Sequence, residues 1–308
     1  MPRFKNRNTR YSIRGRQAKY APKRRSRVGR RRTREHTAPK MTKRKILNIT
    51  SRKKRNTMLS VTNSTMAGVG QATFTTTPLV VNAGTQGWVV WAATAQHYQP
   101  DANVTQVSAR TSARCFMRGL KEKIKIQTSS ALPWFWRRIV FRAKNAVPFT
   151  EYITSPTNLG IGPWYDGSSG IQRLLLNSNS QTVNQAPTVS RQQSVLFKGT
   201  SGVDWNDPIY AAVDTTRVTL MFDKTWTIKS GNNNGTIKEV NLWHTMNKYL
   251  VYDDDENGFT ETSQYLSTDA SPGMGDVFVI DQFQCGTGGT ASDLLQFGTN
   301  ASLYWHKK

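Results

Sequence analysis

Lys121-Glu-Lys-Ile-Lys-Ile-Gln-Thr128 sets the fold class. From Lys123 to Gln127 polar and apolar side chains alternate one by one. In an extended chain successive side chains point to opposite faces, so Ile124 and Ile126 are expected on a buried face and Lys123, Lys125 and Gln127 on a wet one. Outward from this segment the same grammar continues. Short apolar or alternating runs punctuated by Gly, Pro and Asn begin after Met58, with Trp88 to Trp91, Arg137 to Phe141, Val277 to Phe283 and Leu303 to His306 as further strands. Arg217 to Phe222 and Thr225 to Lys229 read as extended. Ser230-Gly-Asn-Asn-Asn-Gly235 then precedes Ile237 to His244 and predicts a hairpin whose loop tolerates positive φ.

Long helical patterns are scarce, and no repeat is evident. Many short strands joined by long polar connections (Thr150 to Gly170, Asn177 to Gln193, Asp254 to Met274) predict an all-β fold. The expected architecture is a single jelly-roll β-sandwich or barrel of about eight strands with long loops, plus a disordered basic N-terminal arm. Connections of that length are usually functional or contact-making.

Charge divides the chain more sharply than hydropathy does. The first 55 residues hold 23 of the 43 Lys and Arg and a single acid, Glu35, for a net charge of +22; the other 253 residues hold 20 basic and 18 acidic side chains, a net +2. From Met1 to about Lys40 nothing has a period that could bury a face, so this stretch is expected to be disordered until it meets a polyanion. Residues 41–56 are still basic but contain Ile46, Leu47 and Ile49, a transition segment expected to anchor the arm, and residues 57–308 form the body. A body of that size fits one large all-β domain.

Within the arm, Lys23, Arg24, Arg25, Arg27, Arg30, Arg31, Arg32 and Arg34 form its densest run. Guanidinium groups make paired hydrogen bonds to phosphate and stack on bases, which suits packing of nucleic acid without regard to sequence. Lys23, Arg24, Arg25, Arg30, Arg31 and Arg32 also fit a nuclear-import signal. Lys43, Arg44, Lys45, Arg52, Lys53, Lys54 and Arg55 continue the basic character to the edge of the body, where they are expected to line its nucleic-acid side.

Other constellations carry less. Leu132-Pro-Trp-Phe-Trp-Arg-Arg138 interleaves aromatics with arginines, as in single-strand binding sites, but in a strand Trp134 and Trp136 share one face and packing is the favoured role. Asp253-Asp-Asp-Glu-Asn-Gly258 matches the first half of a calcium loop and then places Gln264 where a bidentate Glu is required, so no metal is expected. Cys115 and Cys285 form neither a zinc signature nor a disulfide framework and are expected to be reduced. Phosphate-cradling, metal-binding and nucleophile-elbow motifs are absent, and His36, His97, His244 and His306 lie far apart; neither an enzyme nor a cofactor is expected. No apolar run approaches the roughly 20 residues that span a bilayer, and the N-terminus lacks a secretory apolar core. The five Asn-x-Ser/Thr matches are accordingly read as chance.

RKILNITSRKKRNTM (Arg44 to Met58), RGLKEKIKIQTSSALPWFWRRI (Arg118 to Ile139), DPIYAAVDTTRVTL (Asp207 to Leu220), LVYDDDENG (Leu250 to Gly258), GMGDVFVIDQF (Gly273 to Phe283) and LYWHKK (Leu303 to Lys308) resemble, in the same order, capsid proteins of genomoviruses, which carry small circular single-stranded DNA genomes. Phe135 departs from the polar residue more usual there between the two tryptophans. The resemblance implies a jelly-roll subunit, sixty copies in a T = 1 icosahedral shell, an interior arm on the genome and passage through the host nucleus. The expected partners are a single-stranded DNA genome, further copies of the chain and nuclear import receptors, with no membrane and no small-molecule substrate. A cellular nucleic-acid-binding protein with a basic extension is the alternative.

Overall fold

The computed structural model describes residues 41–103, 105–154, 162–181 and 185–307. The expected arm, residues 1–40, lies outside them. The chain divides between Ile46 and Leu47. A helix, α1 (Lys43–Thr50), runs across that division and opens with the Thr42 hydroxyl accepting from the Lys45 amide at 3.3 Å. Ile46, Leu47 and Ile49 are all exposed, so the transition segment is not held by burying its apolar side chains.

The body begins at Arg52, five residues before the expected boundary, because the chain is already paired there with its last strand. In chain order the strands are β1 (Arg52–Ser64), β2 (Gly70–Thr75), β3 (Leu79–Asn82), β4 (Gly87–Ala92), β5 (Arg114–Thr128), β6 (Trp134–Ala143), β7 (Tyr165–Gly167), β8 (Gly170–Leu175), β9 (Thr219–Ile228), β10 (Ile237–Val251), β11 (Asp255–Asn257), β12 (Thr260–Thr262), β13 (Asp276–Cys285) and β14 (Leu294–Lys307). Two helices, α2 (Val147–Thr150) and α3 (Ala186–Leu196), lie between β6 and β9 in the chain.

Eight of these strands make the jelly roll. One sheet has the order β10-β5-β14-β1, extended beyond β1 by β8 and β7; the other has the order β4-β13-β6-β9. Along the chain β1, β5, β10 and β14 fall in the first sheet and β4, β6, β9 and β13 in the second, so the chain changes sheet at nearly every step. The expected hairpin at residues 217–244 is therefore a crossing. The two extended stretches expected there merge into the single strand β9 (Thr219–Ile228), which pairs with β6, while β10 pairs with β5 in the opposite sheet. The loop chemistry was nonetheless right. Gly235 has φ +79°, and a Cβ there would stand 1.9 Å from the Thr128 carbonyl oxygen.

Between the sheets lie Met58, Met117, Leu120 and Leu303 from the first and Trp91, Val140, Val277 and Val279 from the second. Ile124 and Ile126 point into a neighbouring cluster with Trp134, Trp136, Phe283 and Phe297. The second sheet is also covered on its far side, where Ile139, Phe141, Phe278 and Ile280 pack with Phe149 of α2 and Val189 and Leu196 of α3. Helix α3 begins inside the connection Asn177 to Gln193 that was expected to be loop and runs on to Leu196. Its Gln192 accepts from the Trp88 indole at 2.8 Å, and Pro187 near its start supplies a preset φ.

A charged group also bridges the sandwich. Arg138 of β6 forks onto Asp281 of β13 at 2.7 and 2.8 Å and also meets Glu122 of β5; Arg173 of β8 reaches Glu122 at 3.2 Å and Asp281 at 2.8 Å. All four side chains are fully buried. Two positive and two negative charges balance. Burial works against both carboxylates, but Arg138 and then Arg173 outweigh it for Glu122, and Arg138 does so first for Asp281, so both stay below the ordinary carboxylate range.

Candidate nucleic-acid interface

Lys23, Arg24, Arg25, Arg27, Arg30, Arg31, Arg32 and Arg34 lie outside the described residues, and with them the import signal. Lys43 and Lys45 are exposed on the first turn of α1, to which Arg44 also belongs. Arg52, Lys53 and Arg55 are exposed at the start of β1.

Lys54 departs from its expected place. Strand alternation turns it inward, where it is buried and its Nζ donates to the Gln106 carbonyl at 2.5 Å. Desolvation, then the neighbouring charges of Lys307 and Arg52, lower its pKa. It fastens Gln106 to β1 and is no phosphate ligand. On the opposite face Lys53 stands across from His306 and Arg55 across from Tyr304, both on β14.

The Trp134–Arg138 tract is interior. Trp134 and Trp136 are fully buried, Trp136 stacks on Trp226 with ring centres 4.0 Å apart, and its indole donates to Asp281 at 2.9 Å. Arg137 forks onto Asp223 at 2.9 and 2.6 Å and donates to the carbonyls of Pro208, Ile209 and Ala211, which fastens the loop leading into β9. Neither arginine can reach a nucleic acid from there.

The acidic run is split by the fold. Asp254 is buried against Arg110, whose guanidinium also donates to Ser263 and the Gln264 carbonyl and lies 4.0 Å from the centre of the Tyr252 ring. Asp255 to Asn257 pairs with Thr260 to Thr262 as a small hairpin, not as a calcium loop. Among the described residues no group of three or more His, Cys, Asp or Glu stands together as a metal site. Both cysteines are free; burial pushes the Cys115 thiol up to about 11, away from the reactive thiolate.

Sequence reasoning passed over one feature of the surface. Lys121, Lys123 and Lys125 occupy alternate positions of β5 and are all exposed on the face of the first sheet that carries Lys53 and Arg55. The signal was present in the alternation that identified the strand, but three lysines separated by one glutamate and one isoleucine do not look like a charge run. Their concentration depends on Glu122 pointing the other way.

No known protein family matches this chain, and no curated protein matches it.

Proposed function

We propose that this chain is the structural subunit of a closed, sixty-copy T = 1 shell that packages circular single-stranded DNA, held by the basic N-terminal residues. The observation that carries this reading is the partition of charge. A net +22 sits in the first 55 residues, next to a body of net +2 that folds as a jelly roll. Jelly rolls serve in viral shells and in several unrelated roles, so the fold by itself does not choose among them. Charge does the choosing. Sixty copies would bring on the order of 1,300 positive charges to one interior, a counter-charge on the scale of a small genome. The ordered likeness to genomovirus capsid proteins points the same way.

Assembly and packaging are coupled in this reading. Near-neutral bodies associate through their loops, while the basic segments repel one another until DNA neutralises them. Lys23, Arg24, Arg25, Arg30, Arg31 and Arg32 engage import receptors and carry the protein to the host nucleus, where shells form; the protein acts without catalysis or cofactor. The test is negative-stain electron microscopy with sedimentation of the expressed protein, reading absorbance at 260 and 280 nm for each species. Uniform icosahedral particles with nucleic-acid absorbance are expected, and a variant lacking residues 1–40 should form few DNA-filled shells. Small oligomers that bind DNA and never close would favour a cellular nucleic-acid-binding module, and normal packaging by the truncated variant would sink the role given to the arm.

A further inference from the structure

The outward face of the β10-β5-β14-β1 sheet combines three properties: cations without partners, aromatic rings that lie open, and almost no acid. Lys121, Lys123 and Lys125 follow one another at steps of about 6.8 Å along β5. Of their cross-strand neighbours only Glu239, beside Lys125, is acidic. Lys121 stands between Trp243 and Ser302, Lys123 between Asn241 and Asn300, and Lys125 between Glu239 and Gly298. Glu239 is the one acid these four strands turn outward, because Glu122 is committed to the interior. Among the described residues none of Lys53, Arg55, Lys121, Lys123 and Lys125 forms an ion pair.

The rings sit among these charges. Trp243 and Tyr304 approach to 5.6 Å across β5, over Gly119, where a Cβ would come within 2.6 Å of the indole. Glycine thus lets the ring lie against the sheet, and the indole nitrogen is tied to the Thr245 hydroxyl at 2.9 Å. Trp243 is 49% exposed all the same. A second group follows one step along the strands: Phe116 lies between Tyr249 and His306, and the Arg114 guanidinium covers Tyr249 at 4.4 Å. In a chain that buries Trp88, Trp91, Trp134, Trp136 and Trp305, an indole held half-open on a sheet surface is an exception.

We propose that this sheet face is a second nucleic-acid site, distinct from the N-terminal arm. It binds single-stranded nucleic acid by pairing Lys121, Lys123, Lys125, Lys53 and Arg55 with successive phosphates and stacking bases on Trp243 and Tyr304. Cations that track a backbone beside rings that accept any base are the general means of holding single strands without sequence preference. A duplex hides its base faces, so the rings favour a single strand. The proposal rests on the packaging function above and assigns part of that binding to the folded body.

The test uses the full chain and a fluorescein-labelled oligothymidine in a salt titration. For single strands each phosphate neutralised contributes about 0.7 to the slope of log affinity against log salt, so K121Q/K123Q/K125Q should lower the slope by about 2. R191Q/K198Q/K229Q removes the same charge from exposed positions off this sheet and should leave the slope at the parent value. W243A should weaken binding about five- to tenfold with the salt slope kept, since stacking involves no counterion. Urea midpoints equal to the parent's show that the variants are folded. Equal slopes for the two triple variants, with W243A binding like the parent, would overturn the sheet site and leave the arm as sole ligand. No binding by the parent at any salt would remove the packaging function and this site together. Unchanged binding by K121Q/K123Q/K125Q with loss of shell closure would assign the face to contact between copies instead.

Discussion

The two sheets of this sandwich differ in strand length, 13–15 residues in β10-β5-β14-β1 against 6–10 in β4-β13-β6-β9, and in what covers them. The β4-β13-β6-β9 sheet faces its partner on one side and α2, α3 and their loops on the other, so β4 is buried from end to end and β13 over its first eight residues. Among the described residues the β10-β5-β14-β1 sheet is covered on one side only, and β5 alternates buried and exposed over Leu120–Ile126. A continuous apolar run such as Val277 to Ile280 and a lysine-isoleucine alternation are thus two answers to the same question, whether water reaches the second face. Charge follows that geometry. On the covered sheet Arg137 and Arg138 serve the interior, whereas on the open sheet Lys121, Lys123 and Lys125 serve whatever lies outside.

This contrast can be broken most severely at the bridge between the sheets. R138M leaves Glu122 and Asp281 buried with Arg173 alone to balance them, and about 3–5 kcal/mol of stability should be lost. Urea denaturation of the full chain measures this, and a midpoint equal to the parent's would show that the sandwich does not depend on the cluster.

Next in size is a pH effect on the inward face of the open sheet. His244 is buried against Phe222, and its Nε2 has no hydrogen-bond partner. Desolvation, then the nearby Arg138, push its pKa down to about 4, against the opposing pull of Glu122 and Asp281. An unfolded chain takes up this proton near 6.5 and the native one near 4, so stability is whole above about 6.5 and falls as the pH drops between those values. About 3 kcal/mol is at stake from this one group. Glu122 and Asp281 add to the loss at still lower pH, as it falls through their depressed native values. His244→Gln should flatten the decline between pH 6.5 and 4.5; an identical decline in the variant would place the sensitivity elsewhere.

Smaller substitutions sharpen the contrast between the two outer faces. Ile280 and Lys123 both point away from the sandwich interior, one under helices and one into water. I280V should cost about 1 kcal/mol, as expected where a lost methylene cannot be refilled. K123Q should stay within about 0.5 kcal/mol of the parent. Equal effects at the two positions would mean that the open face is covered in solution.

Much of this was legible in the residues. The Lys123 to Gln127 alternation assigned each side chain to its correct face, because a period of two leaves no other arrangement of one wet and one dry side. Val277 to Phe283 and Trp88 to Trp91 were found as strands from short apolar runs, which is an equally local signal. Sheet membership was not legible. The run through Ser230 to Gly235 looks the same whether the next strand pairs with the last or crosses to the opposite sheet, and that choice is made by β5 and β6, about a hundred residues upstream. Helix α3 was missed within a polar connection, although Pro187 near its start was an available cue.

The candidate site divided along similar lines. Arg52, Lys53 and Arg55 emerged where a basic surface was expected, while Lys54, one residue away from two of them, turned inward to the Gln106 carbonyl. Arg137 and Arg138 stand beside tryptophans in the chain and look like a nucleic-acid motif; the acids that claim them, Asp223 and Asp281, are 86 and 143 residues further on. Asp254 was one of three identical neighbours until Arg110 selected it.

By itself, then, the sequence determined the partition of charge between a basic N-terminal segment and a neutral body, and the extended, two-faced character of that body. Both follow from composition and from a period of two, which are properties of neighbours in the chain. Tertiary structure alone decided which cations are neutralised and which stay free. An ion pair forms between groups that meet in space: Asp223 and Asp281 come beside Arg137 and Arg138 only when β9 and β13 pair with β6, and Glu122 meets Arg138 only when the two sheets close on each other.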